Sequence, residues 1–118
     1  MIIHRIRESI LPGQIIPKPR TTGHTIKGWG MRRGEAALVY FIPTKNSATQ
    51  SQKGITESEF EIAFSQLKTS GEFTRNWFNE HLPQCAKEGP CNFTTIGGIF
   101  MALKEAVHSG EGRYMSSK

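Results

Sequence analysis

Three side chains of the kind that bind soft metals fall within eleven residues: His81, Cys85 and Cys91, spaced His-x3-Cys-x5-Cys. Structural zinc takes four ligands and usually pairs its cysteines as Cys-x2–4-Cys. A fourth ligand here would have to come from a distance, with His108 or Glu88 as the available groups. The expectation is therefore two small buried thiols and no metal. A nucleophilic cysteine needs a base and a group that orients it, and the sequence places neither beside Cys85 or Cys91. General acid–base chemistry finds no pattern either. The chain has no aspartate, and Glu57, Glu59 and Glu61 lie together where they would complement a helix dipole. His4, His24, His81 and His108 are scattered. No cofactor and no catalytic residue are expected.

Binding chemistry is better represented. Thr94, Thr95, Gly97 and Gly98 surround an expected helix start, where free N–H groups and small side chains can admit an anion. No lysine follows them, so they do not form a phosphate-binding P-loop. The alternative use of the two glycines is close packing against Trp77 or the sheet. A second set is Lys27, Trp29, Arg32 and Arg33 in Lys-Gly-Trp-Gly-Met-Arg-Arg-Gly, with Lys18 and Arg20 shortly before. Basic side chains neutralise phosphates and an exposed indole stacks on bases, as in single-strand binders. The alternative is a buried Trp29 with arginines decorating a hairpin.

Charge is concentrated where this second set lies. Residues 1–34 carry seven Lys and Arg against one Glu, a net +6, whereas residues 35–118 carry −1. Such asymmetry suits a polyanionic partner, and it also suits a merely solubilising surface. With 118 residues, 36% of them hydrophobic, one small domain spanning 1–118 is expected. No stretch has the length of a membrane span, and Arg5, Arg7 and Glu8 interrupt any apolar leader. With only two cysteines, the expected compartment is the cytoplasm and no membrane contact is expected.

The elements that must hold these residues divide at about residue 54. Residues 1–54 read as strands and loops. Met1–Arg7 is a candidate edge strand, and Leu11–Gly23 is broken by Pro12, Pro17 and Pro19. Thr25–Met31 and Ala36–Ile42 form a hairpin around Gly34; the second is a continuous apolar run ended by Pro43, as a strand buried on both faces would be. Thr44–Gly54 is polar and reads as a loop. From Ile55 the period becomes helical. Thr56 and Glu59 make a capping box with Ile55 and Phe60 as hydrophobic staple. Phe60, Ala63, Phe64 and Leu67 follow at helical spacing, up to Gly71. Thr74 caps a short second helix carrying Trp77, Phe78 and Leu82 and ending at Pro83. Gln84–Asn92 reads as a loop. A third helix from Thr94 or Thr95 carries Ile96, Ile99, Phe100, Leu103 and Val107 inward, and Arg113–Met115 adds a final strand. The fold class is α+β: a small antiparallel sheet from the N-terminal half packed against three short helices.

Three short helices followed by a strand, over residues 55–115, resemble helix-turn-helix and winged-helix domains in pattern. That resemblance implies a third helix in the major groove, exposing Thr95, Gly97, Gly98, Met101, Lys104, Glu105 and His108. This set lacks the arginines and amides that read bases. In style the chain resembles small open reading frames of mobile elements such as integron gene cassettes, a likeness resting on no motif. The leading expectation is a small nucleic-acid-binding accessory protein that contacts DNA or RNA through Lys18, Arg20, Lys27, Trp29, Arg32 and Arg33. The alternatives are a protein-interaction module, homodimeric through a sheet edge or exposed aromatics, and a small-molecule or anion-binding domain using Thr94–Gly98.

Overall fold

The computed structural model describes residues 1–20, 23–42 and 51–117. The chain opens with a helix, α1 (Ile2–Ser9), not the expected edge strand. Its β-branched isoleucines favour a strand locally, but Ile2, Ile3, Ile6 and Ile10 are all buried, a helical spacing that one apolar face can satisfy. β1 (Ile15–Ile16), β2 (His24–Arg32), β3 (Glu35–Ile42) and β4 (Ser51–Thr56) then form an antiparallel sheet in sequence order. β2 and β3 are the anticipated hairpin, paired from Thr25↔Phe41 to Arg32↔Glu35. Its two-residue turn puts Arg33 at φ 50 and Gly34 at φ 81, the left-handed pair that matches strand twist. β3 is a central strand, with Ala37, Leu38, Val39 and Tyr40 buried. β4 corrects the expected loop over its last residues. It is an edge strand whose exposed Ser51 and Gln52 carry no apolar signal, and it pairs Ile42↔Ser51 through Ala37↔Thr56. The rest of that expected loop, with Pro43, lies outside the described residues.

α2 (Glu57–Ser70) begins at the anticipated capping box. Thr56 Oγ1 accepts from the Glu59 amide at 3.3 Å, and Glu59 Oε1 accepts from the Thr56 amide at 2.9 Å. It ends at Gly71, φ 86. β5 (Glu72–Thr74) leads into α3 (Arg75–His81), which Thr74 caps by accepting from the Trp77 amide at 3.1 Å. The expected loop after Pro83 is mostly a further helix, α4 (Pro83–Glu88), with the proline in its first turn, where a missing N–H costs nothing. α5 (Asn92–Ala102) is shorter than anticipated. Lys104 turns left-handed at φ 64, and β6 (Ala106–His108) follows as a strand. Val107 is therefore exposed, not inward, and Glu105 is buried, not exposed. β7 (Arg113–Ser116) inserts between β5 and β6 to make a second antiparallel sheet.

One hydrophobic cluster joins α1, both sheets, α2, α3, α4 and α5. Phe73 is its aromatic centre, with Phe93, Trp77, Phe78, Phe100 and Tyr114 at ring-centroid distances of 4.9 to 6.5 Å. α5 runs through this cluster, with eight of its eleven residues buried. Among the described residues no helix is long and apolar enough to cross a membrane.

Candidate functional site

Between the two sheets, at the start of α5, lies a cleft of about 450 Å³. One wall is the connector from β1 to β2, with Lys18, Pro19 and Arg20, continued by His24 of β2. Cys91, Phe93 and Thr94 at the start of α5 form the base, with Arg75 from the first turn of α3. The opposite wall is His108 and Tyr114 of the second sheet, with Glu111 and Gly112 from the turn between β6 and β7. Four segments far apart in the chain thus meet here.

Lys18 ties the connector to α5. Its ammonium donates to Cys91 O at 3.0 Å, Thr94 Oγ1 at 2.8 Å and Thr95 Oγ1 at 2.5 Å. All three protons are satisfied, yet no carboxylate pairs with the charge among the described residues. Burial lowers its pKa to about 8; a nearby Cys91 opposes the shift and Arg75 adds to it. Arg75 is the second such cation. Its guanidinium lies 4.6 Å over the Phe93 ring and donates to Pro90 O at 2.9 Å, again with no carboxylate partner among the described residues. Arg20, at the rim, pairs with Glu111 at 3.1 Å, which offsets the cleft's one acidic side chain.

Neutral polar groups complete the lining. His24 stacks on Tyr40 at 5.4 Å; burial first, and Lys18 second, lower its pKa to about 4, so it is neutral near pH 7. Its Nδ1 is buried with no hydrogen-bond partner among the described residues, as is the hydroxyl of Tyr114. Burial pushes the Tyr114 phenol up to about 12, against the pull of Arg75. The Cys91 thiol sits 3.2 Å from the Tyr40 hydroxyl, which donates to Asn92 Oδ1. A phenol already donating elsewhere, and held neutral by burial, cannot serve as base to that thiol.

The anticipated anion site is only partly here. Thr94 lines the cleft, but Thr95, Gly97 and Gly98 are buried. The glycines serve close packing. A Cβ on Gly97 would overlap the Tyr114 ring, and one on Gly98 would meet Ile16 Cγ2 at 2.6 Å and Pro17 O at 2.8 Å. The helix start is also occupied: the amides of Asn92, Phe93 and Thr95 donate to Gly89 O, Pro90 O and Cys91 O. The lysine missing from the local sequence arrives instead from residue 18. Only the pairing of Lys18 with Arg20 between prolines hinted at it, and Arg75, His24 and Tyr114 gave no sequence signal.

The hairpin residues do not converge. Arg33 bridges Glu59, at 2.5 Å, and Glu88. Trp29 is half-buried, with the Arg7 guanidinium 3.9 Å over its ring. Arg32 donates to Met31 O at 2.8 Å and lies across Gly54; Lys27 donates to Gln52 at 3.1 Å. The soft-metal candidates also stay apart in role. His81 stacks on Trp77, Cys85 is 1% exposed, and only Cys91 reaches the cleft. Among the described residues no three His, Cys, Asp or Glu side chains are grouped to hold a metal. No family model, curated protein or solved structure matches this chain.

Proposed function

We propose that the chain is a small-molecule-binding domain whose cleft takes an anion. The observation that carries this reading is the pair Lys18 and Arg75. Both cations line one concave site, and neither has a carboxylate partner among the described residues. Lys18 is largely desolvated without a counter-ion, which is costly, and a ligand's charge would remove that cost. The volume lies in the range of small-molecule sites. The hairpin is less suited to nucleic acid, because its indole is covered and Arg33 is already bound by two carboxylates.

Sulfate has a fixed charge and isolates the protein's own titration. In an amide chemical-shift titration, saturable changes are expected at Thr94, Gly112 and Tyr114. Lys18→Met and Arg75→Gln should each weaken binding about tenfold, through loss of one positive charge from the cleft. Affinity should also fall as pH rises past about 8, where Lys18 gives up its proton. Absence of saturable shifts at these amides up to roughly 10 mM sulfate, about 2.7 kcal/mol of binding, would refute the reading.

A further inference from the structure

Lys18 can do more in the cleft than hold a charge. Its Nζ sits at the start of α5, and no carboxylate pairs with it among the described residues. Arg75 of α3 disfavours its ammonium form and Cys91, beside α5, favours it. His24 of β2 is neutral near pH 7, and the Tyr40 ring of β3 stands 5.7 Å away. Arg20 and Glu111, at the rim, pair with each other. Burial outweighs all of these and lowers the pKa to about 8. A desolvated amine beside a second cation is the arrangement that activates lysine as a nucleophile.

The hydrogen bonds around Lys18 allow it to lose a proton without stranding its neighbours. Thr94 Oγ1 and Thr95 Oγ1 each donate to Cys91 O at 3.1 Å, so that carbonyl and both hydroxyl protons stay paired when the amine is neutral. Losing the proton costs one of three donated bonds and frees a lone pair. The side chain is half-buried and lines the cleft, so a molecule held there can reach the nitrogen. At pH 7.5 its neutral fraction is on the order of a hundred times that of an exposed lysine.

We propose that Lys18 is a covalent capture site that forms an imine with small carbonyl compounds carrying an anionic group, such as oxo acids or phosphorylated aldehydes. This rests on the anionic reading of the cleft: Arg75 takes the charge, and Lys18 takes the carbonyl carbon. The neutral amine nitrogen attacks that carbon, an N–C bond forms, and one nitrogen proton passes to the carbonyl oxygen. The Thr94 hydroxyl, 2.8 Å from the nitrogen and in the cleft lining, is placed to relay it. The C–O bond then breaks, the oxygen leaves as water with the second nitrogen proton, and N=C forms. No oxidant or reductant is consumed.

Cyanoborohydride trapping on the full chain at pH 7.5, read peptide by peptide in a mass spectrometer, tests this. Glyoxylate and glyceraldehyde 3-phosphate represent the two sources of the anionic group; methyl glyoxylate and glyceraldehyde are their uncharged counterparts. Exposed Lys87 is the internal reference. At least one anionic compound should label Lys18 about ten times faster than Lys87, the larger neutral fraction outweighing the weaker basicity, and the faster of the two names the source. The preference for Lys18 should fall several-fold with the uncharged counterpart. Sulfate should slow labelling at Lys18 and not at Lys87. Arg75→Gln should slow the anionic compound at Lys18 several-fold and leave its uncharged counterpart nearly unchanged. Labelling of Lys18 no faster than Lys87 overturns the inference; the anionic reading then stands if sulfate still shifts the Thr94, Gly112 and Tyr114 amides, and falls with it if sulfate does not. Equal preference for Lys18 with charged and uncharged compounds also overturns it, leaving a reactive amine that selects no anion.

Discussion

Gly97→Ala separates two physical accounts of α5 because they predict opposite signs. Helix propensity alone makes alanine better than glycine in a helix interior by about 0.5–1 kcal/mol. Packing argues the other way. The added Cβ would overlap three atoms of the Tyr114 ring, the farthest of them, Cδ2, at only 2.6 Å. Carbon atoms in contact normally stand about 3.5–4.0 Å apart, so the ring would have to retreat by about an ångström. It has no room to do so, since Phe93 and His108 stand 5.4 and 5.3 Å away and the ring is fully buried. Overpacking of this kind costs about 1–3 kcal/mol, and this clash belongs at the upper end. Net of the propensity gain, Gly97→Ala should destabilise by about 2 kcal/mol, roughly 6–12 °C in melting temperature for a chain of this size. Urea unfolding followed by circular dichroism measures it. Gly71→Ala is the control, because its φ of 86 is strained for alanine while nothing stands within 4 Å; it should lose about 1 kcal/mol. In a Tyr114→Ala background the cost of Gly97→Ala should shrink by about 1 kcal/mol or more. Wild-type or higher stability of Gly97→Ala would refute the packing account.

Three further outcomes are expected. Thr56→Ala should lower unfolding free energy by about 1 kcal/mol through loss of the cap to Glu59, with Thr56→Ser retaining most of it; an unchanged urea midpoint would contradict the capping account. His24 has a folded pKa of about 4 against an ordinary 6.5, so on acidification the unfolded chain binds this proton first. Stability held above pH 6.5 is therefore lost as pH falls toward 4, and His24→Gln should flatten that part of the stability profile. A slope as steep as wild type would show that other groups set it. Iodoacetamide should label half-buried Cys91 in the native protein but reach Cys85, 1% exposed and with its thiol pKa raised by burial, only after unfolding. Mass spectrometry of the labelled peptides decides, and native labelling of Cys85 would count against its burial.

What could be read in the sequence was local chemistry. The capping box at Thr56, the cap at Thr74, the stop at Gly71 and the hairpin through Gly34 each depend on residues within a few positions of one another, and each is in the fold. Elements decided by tertiary packing were misread. α1 is helical because its isoleucines find a buried face, overriding their strand preference. β4 is a strand because β3 offers it a ladder, although its first residues look like a loop. The cleft was the least legible feature. Thr94 was singled out for anion chemistry, but its partner Lys18 lies 76 residues away and was assigned to a different surface. Arg75, His24 and Tyr114 become a site only through the packing of the two sheets.

The glycine pair in α5 sets the gauge of that cleft. Gly97 lets Tyr114 of one sheet approach the helix axis, and Gly98 does the same for Ile16 and Pro17, beside Lys18 on the other wall. The helix thus acts as a spacer of minimal thickness, and the two positions control an aperture more than they contribute contacts of their own. Because Tyr114 has no room to retreat and Gly98 abuts the backbone of Pro17, a side chain at either position would cost stability before it moved a wall. The width of the cleft is thus fixed from behind the binding surface, by two adjacent positions that never touch its contents.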